Sequence, residues 1–212
     1  MLNVVFDLGG VLLTWDPSAI VASVFDDEHD RALVLDIVFG HEDWQDLDRG
    51  FMDASAAIER AVSRTGLPLP KLQALFETRP RSLVPIPATV ELLSQVRAAG
   101  HPVYALSNLH SASLECIEGT YDIFGLLAGR VVSCEVGTCK PESAIYRHLL
   151  EGFGLDPAST VFIDDMQVNL DAAAAAGLRT VLFTSAEQCC RDLESLGVHL
   201  TRASTKAARP VG

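Results

Sequence analysis

Residues 2–13 read LNVVFDLGGVLL, a buried-strand pattern that runs into an acidic residue and a glycine pair. Leu2–Phe6 is apolar or β-branched without clean polar alternation, the pattern of a strand covered on both faces. Asp7 ends the run, and Gly10 allows a sharp turn directly after it. Buried strands of this kind belong to α/β sheets, which bind ligands beyond the carboxyl ends of their strands.

Four more runs have the same character: Val103–Leu106, Val131–Cys134, Thr160–Ile163 and Thr180–Phe183. Helical patterns separate most of them. Ala88–Ala99 ends at Gly100, a natural C-cap, and Gln167–Ala176 ends at Gly177. Pro141–Phe153 carries Ile145, Leu149 and Phe153 at helical spacing, with Pro141 suited to its first turn. The alternation predicts an α/β fold, a Rossmann-like doubly wound parallel sheet.

The stretch after the first strand breaks the alternation. It carries helical patterns at Ala19–Val24, Arg31–Val38 and Ala54–Arg64 but no strand. Residues 16–85 are therefore expected to form an inserted helical cap, with Pro80, Pro85 and Pro87 marking the return linker. The α/β core then comprises residues 1–15 and 86–200, and residues 201–212 form a C-terminal tail of little apolar content.

Composition bounds the function. Of the 212 residues 49% are hydrophobic, enough for a real core, and the net charge of −12 repels nucleic acid as a partner. A small phosphate remains possible where a metal and a lysine reverse the sign locally. The five cysteines (Cys116, Cys134, Cys139, Cys189 and Cys190) have no histidine at zinc-ligand spacing and read as reduced thiols. Asp7 interrupts the N-terminal apolar run too early for a signal peptide, and no stretch is long enough to span a bilayer. A cytoplasmic protein with no membrane partner is expected, either monomer or homodimer.

The residues that follow the strands carry the chemistry. Asp7 follows the first, Ser107 and Asn108 the second, and Asp164 and Asp165 the fourth, while Lys140 precedes a helix in CKPE. Three carboxylates gathered at one rim repel one another unless a cation is present, and an all-oxygen donor set suits Mg²⁺.

In order and spacing, DLGGVL (7–12), LSN (106–108), KPE..IY (140–146) and FIDD...N (162–169) resemble the four motifs of the haloacid dehalogenase superfamily, in its helical-cap branch. More narrowly they resemble its bacterial glucose-1-phosphate phosphatases. The resemblance covers about Leu2 to Phe183. It implies that Asp7 attacks phosphorus to give a transient aspartyl phosphate. It implies that Asp7, Asp165 and the carbonyl of Gly9 hold Mg²⁺, with Asp164 bound directly or through water. Ser107 and the Asn108 N–H would grip the phosphoryl oxygens, Lys140 would offset negative charge, and Asn169 would orient Lys140 or the metal's waters. The substrate would be a small phosphorylated molecule.

Gly9 departs from the superfamily pattern, in which most phosphatases carry an aspartate there as general acid and base. Asp16 is the nearest substitute, although Asp before Pro is also a good N-cap. An anomeric phosphate such as glucose 1-phosphate needs less help, because its leaving hydroxyl is more acidic than an ordinary alcohol. Trp15, Trp44, Asp48 and Arg49 are candidates to line a sugar pocket; equally, Trp44 suits a cap core and Arg49–Gly50 a helix–helix turn. Two other functions stay open: a 2-haloacid dehalogenase, against which Gly9 and the acidic pair argue, and a weakly active binding protein that has lost its acid.

Overall fold

The computed structural model describes residues 1–200 and contains one five-stranded sheet, all parallel. Its strands are β1 (Asn3–Phe6), β2 (Val103–Ser107), β3 (Gly129–Val132), β4 (Thr160–Asp164) and β5 (Arg179–Leu182), in spatial order β3-β2-β1-β4-β5. β1 is central, with Phe6 opposite Ala105 of β2 on one side and Ile163 of β4 on the other. Chain order reverses across β1, so the crevice at its carboxyl end is a topological switch point. The tail 201–212 lies outside the described residues.

The apolar runs fill two layers because successive strand side chains point to opposite faces. Val4 and Phe6 join one cluster, with Leu93 and Val96 of α6 (Pro87–Ala98) and Leu193 of α11 (Ala186–Ser195). Val5 joins the other, with Ile145 and Leu149 of α9 (Ser143–Phe153) and Leu170 of α10 (Gln167–Ala175). Phe6 and Phe162 are fully buried, and burying such a side chain contributes about 1.5–3 kcal/mol. α6 stops where expected: Gly100 has φ +89°, the left-handed backbone that glycine accepts readily.

Between β1 and β2 run α1 (Pro17–Ala22), α2 (Glu28–Leu33), α3 (Glu42–Asp48), α4 (Ala54–Thr65) and α5 (Leu69–Ser82). They enclose an apolar cluster of their own around Phe25, Val34, Trp44, Leu72, Leu75 and Phe76. Polar ties join them to the sheet side. The Ser133 hydroxyl donates to the Asp48 carbonyl at 2.6 Å, and Arg49 Nη2 donates to Glu142 at 2.8 Å.

Local expectations change in four places. Pro80 is not in a linker but inside α5, two residues before its end at Ser82, in a helix where Leu72, Leu75, Phe76 and Arg79 bury one face. Packing on that face offsets the missing donor, since a proline this near a C-terminus removes one bond of the ladder. The third strand ends at Val132; Ser133 and Cys134 begin the short α8 (Ser133–Val136) instead. Ser133 leaves the sheet because its hydroxyl donates to Asp48 and accepts from the Leu109 N–H. Pro141 sits ahead of α9 rather than in its first turn. The pattern at Arg31–Val38 divides between α2 and a π-helical turn, Val34–Phe39.

Candidate active site

β1 ends at Phe6, and Asp7 is the first residue past the sheet edge. Its backbone N–H still donates to the Ile163 carbonyl of β4 at 2.9 Å, which fixes its direction. The chain then folds tightly on itself: the Leu8 carbonyl accepts from the N–H groups of Leu12 and Leu13 at 2.8 and 2.7 Å. Gly10 makes this turn possible, with φ +77°. A side chain there would also run into the Asp165 carboxylate, so the close approach of the Asp7 loop to Asp165 requires glycine.

Four of the predicted residues meet in one network. Lys140 Nζ lies 2.8 Å from Asp7 Oδ2 and 2.7 Å from Asp164 Oδ2, and all three residues are buried. Asn169 Nδ2 donates to both oxygens of Asp164, at 3.0 and 3.2 Å. Asn169 thus reaches Lys140 only through Asp164. The Asn108 side chain pairs reciprocally with the backbone of Lys140: Nδ2 donates to its carbonyl at 2.9 Å, and Oδ1 accepts from its N–H at 2.7 Å. The amide of Asn108 therefore places the lysine, a positioning contact that the motif alone does not reveal.

The charge in this network is unbalanced. Asp7, Asp164 and Asp165 can present one oxygen each within 4.8 Å of one another. Burial pushes the Asp7 carboxyl up to about 7, against the pull of Lys140 and the hydrogen bond from Ser107. Burial and the neighbouring Asp164 also raise the Asp165 carboxyl. Burial works against the Lys140 ammonium, but Asp7 and Asp164 outweigh it and its pKa is raised. One lysine among three carboxylates leaves net negative charge at a partly desolvated rim. Oxygen donors at this spacing fit a hard divalent cation of the Mg²⁺ type.

These groups open into a cleft with an internal volume of about 120 Å³. Asp7, Gly9, Ser107, Asn108, Lys140, Asp165 and Asn169 line it from the strand ends. Trp15, Arg79 and Leu83, from the chain between β1 and β2, also line it, together with Leu109 and Met166 from the segments that follow β2 and β4. Asp16 is not among them. It is exposed, its carboxylate caps α1 by accepting the Ala19 N–H at 2.9 Å, and it borders a separate crevice with Ile20 and Thr78. Of the candidate sugar contacts, Trp15 reaches the cleft and Trp44 is buried in the helical cluster. Arg49 pairs with Glu142 and Asp46, and Asp48 is buried beside Arg79.

Arg79 is the residue that sequence reasoning missed. It is 3% exposed, and its guanidinium carbon lies 5.1 Å from the Trp15 ring and 5.2 Å from the Trp44 ring. Burial lowers its pKa to about 10, against the Asp48 carboxylate.

Comparison with known proteins places the whole arrangement. The sesquiterpene phosphatase astK of Aspergillus oryzae is 27% identical over 192 residues, covering 91% of this chain and 94% of that protein. Acyl-CoA dehydrogenase family member 10 of Mus musculus is 26% identical over 227 residues; the match takes in 97% of this chain but spans only 20% of that protein. Among solved structures, the HAD family enzyme bt-2542 of Bacteroides thetaiotaomicron, crystallised with magnesium and inorganic phosphate, superposes with TM-score 0.65. It is 22% identical, over 87% of this chain and 94% of that one. A dehalogenase superposes with TM-score 0.66 at 21% identity, over 86% of this chain and 84% of its own. These two likenesses establish the shared fold. The family model for haloacid dehalogenase-like hydrolases matches residues 1–177, and the chain belongs to that family.

Proposed function

We propose that this hydrolase is a Mg²⁺-dependent phosphatase of small phosphate monoesters, with Asp7 as nucleophile. The observation that carries the proposal is the buried contact of Asp7 with Lys140 inside a three-carboxylate cluster at the switch point. Asp7, Asp165 and the Gly9 carbonyl would hold the ion, with Asp164 close by. When bound, Mg²⁺ supplies positive charge to the nucleophile and to the phosphoryl oxygens. The Ser107 hydroxyl and the Asn108 N–H hold the phosphoryl group in line with Asp7. Lys140, fixed by Asn108 and Asp164, stabilises the charge that builds up during transfer. Asp7 displaces the leaving group to give an aspartyl phosphate, and water hydrolyses that acyl phosphate to regenerate the carboxylate.

Residues 16–85 act as the cap over this site, and residues 1–15 with 86–200 form the catalytic core. Gly9 offers no proton to the leaving group, which favours esters of acidic hydroxyls. An anomeric phosphate such as glucose 1-phosphate belongs to that class. A cytoplasmic monomer or homodimer is part of the same proposal. The three carboxylates and Lys140 support this function over 2-haloacid dehalogenation, which does not call for a carboxylate cluster. The test is Mg²⁺-dependent release of phosphate from a chromogenic ester, run beside halide release from 2-chloropropionate. Halide release without phosphate release would overturn the proposal, and so would phosphate release indifferent to chelator.

A further inference from the structure

Arg79 is a buried cation with too little to hold. Its Nη1 donates to the Ser113 hydroxyl at 2.5 Å, and Nη2 stands 3.8 Å from Asp48 Oδ1, beyond hydrogen-bond reach. Arg79 Nε and Asp48 Oδ1 have no hydrogen-bond partner among the described residues. A guanidinium has five N–H donors in a planar fork, and leaving such donors unpaired away from water is unfavourable. Neutralising Asp48 would be better served by direct contact. Histidine does not compete for that role: burial and Arg79 hold the His110 imidazole far down, at about 2, and its Nδ1 caps α7 (Ser111–Thr120) by accepting the Ser113 N–H.

Two features aim this cation at a ligand. The rings of Trp15 and Trp44 lie within cation–π distance, so the fork is fixed in place before anything binds. Arg79 also lines the same cleft as Asp7, Ser107 and Lys140. In an in-line displacement the leaving group departs on the side opposite the nucleophile. Asp7 and the other strand-end groups form one wall, so the departing part of the substrate meets Trp15, Arg79 and Leu83.

We propose that Arg79 is the specificity-determining residue of the cleft, binding an anionic oxygen, carboxylate or phosphate, on the leaving part of the substrate. Compact phosphate esters whose leaving part carries its own negative charge are then preferred to those whose leaving part is neutral, glucose 1-phosphate among the latter. This inference rests on the phosphatase proposal and narrows its substrate class.

The test compares kcat/KM within two matched pairs at saturating Mg²⁺. 2-Phosphoglycolate against 2-hydroxyethyl phosphate tests a carboxylate, and glucose 1,6-bisphosphate against glucose 1-phosphate tests a second phosphate. A preference of about 10- to 100-fold for the anionic member of at least one pair is expected, the range of a charge-assisted hydrogen bond. In Arg79→Gln that ratio should fall to about one, mainly through KM, with Arg79→Lys between the two. If Arg79→Gln does not fold, the double variant R79Q/D48N removes both buried charges and takes its place. A wild-type ratio within twofold in both pairs overturns the inference, as does a preference that survives the loss of Arg79. Binding of the same pairs to Mg²⁺-loaded Asp7→Asn protein, by calorimetry, reads the preference without turnover. Absence of phosphate release from all four esters would overturn the phosphatase proposal, and the binding ratio would still decide the role of Arg79.

Discussion

Lys140 and Asp164 form the tightest charged contact of the site, Nζ to Oδ2 at 2.7 Å, with both side chains sealed from solvent. The same ammonium reaches Asp7 at 2.8 Å, so a single cation bridges two buried carboxylates. Removing one partner of a buried ion pair leaves an uncompensated charge and costs about 3–5 kcal/mol.

Lys140→Met should therefore melt well below wild type when metal-free, by roughly 6–20 °C for a chain of this size. Added Mg²⁺ should restore part of the loss, since the ion supplies the charge that the lysine did. Turnover should fall by about 10²–10³, the usual effect of losing one preorganised electrostatic contact. Thermal melts with EDTA and with Mg²⁺ check the first two outcomes, and an unchanged metal-free melting point would mean that the network contributes nothing to stability.

Asp7→Asn should abolish turnover yet keep the fold, because the amide matches the carboxylate in shape. Its stability carries a pH signature. The Asp7 carboxyl is raised by burial from 3.8 to about 7. Below about pH 4 it is neutral in both the folded and the unfolded chain. Between about 4 and 7 the unfolded chain ionises and the folded one does not, so its contribution to stability is lost as pH rises through 7. His110, depressed to about 2, and Asp48, raised to about 6, add slopes of their own, but these are common to both proteins. The metal-free difference between variant and wild type should thus move in favour of Asp7→Asn from pH 5 to pH 8. A flat difference across that range would show that Asp7 ionises normally.

The fold and the gathering of carboxylates at one rim were legible in the sequence because both rest on local pattern. Five apolar runs gave five strands; of the groups at their carboxyl ends, Asp7 and Ser107 line the crevice, while Asp164 is fully buried behind it and pairs with Lys140. Lys140 and Asn169 were legible through the motif resemblance, but their partners were not: the Asn108 pairing with the Lys140 backbone spans 32 residues. Two helices gave no clear start signal. α3 and α7 are capped by histidines, His41 and His110, whose ring nitrogens accept from Asp43 and Ser113. Histidine is outside the usual set of Ser, Thr, Asp and Asn at that position. Arg79 was hidden by its neighbour: reading Pro80 as linker put Arg79 in a loop, whereas tertiary packing continues α5 through both residues.

Removing the metal should stop phosphate release and restoring it should recover the rate. Asp165 offers the most direct handle, because it sits on the exposed side of the cluster and its loss disturbs no buried pair. Asp165→Asn should raise the Mg²⁺ concentration for half-maximal rate by at least about tenfold, as expected for a group holding the ion. Its metal-free melting point should stay within a few degrees of wild type. Mg²⁺ should also raise the wild-type melting point in proportion to the logarithm of its excess over Kd. Equal Mg²⁺ dependence in wild type and variant would remove Asp165 from the metal site.

Gly9 can be refilled. A Cβ built there meets only Trp15, with Cβ at 3.6 Å and Cγ at 3.8 Å, which is ordinary van der Waals contact. Its backbone is not in the left-handed region, unlike that of Gly10 beside it. The glycine is thus not demanded by the turn, and Gly9→Asp should fold with a normal melting point. Wild type should show a steep dependence of rate on leaving-group acidity, with aryl and anomeric phosphates far ahead of primary-alcohol phosphates of similar size and charge. Glucose 1-phosphate against glucose 6-phosphate is the simplest comparison, since neither leaving sugar is charged. In Gly9→Asp the dependence should flatten, because the poor leaving groups gain a proton donor. General acid assistance is typically worth about 10²–10⁴ in rate, so partial recovery should be measurable on glucose 6-phosphate while glucose 1-phosphate changes little. The pH profile supplies an independent readout: the rescued reaction should acquire a basic limb, set by the protonated state of the new carboxyl, that wild type lacks. If wild type already cleaves the two glucose phosphates at equal rates, leaving-group acidity does not control turnover. The proton then comes from another group in the cleft, and Asp16 is not that group while its carboxylate caps α1.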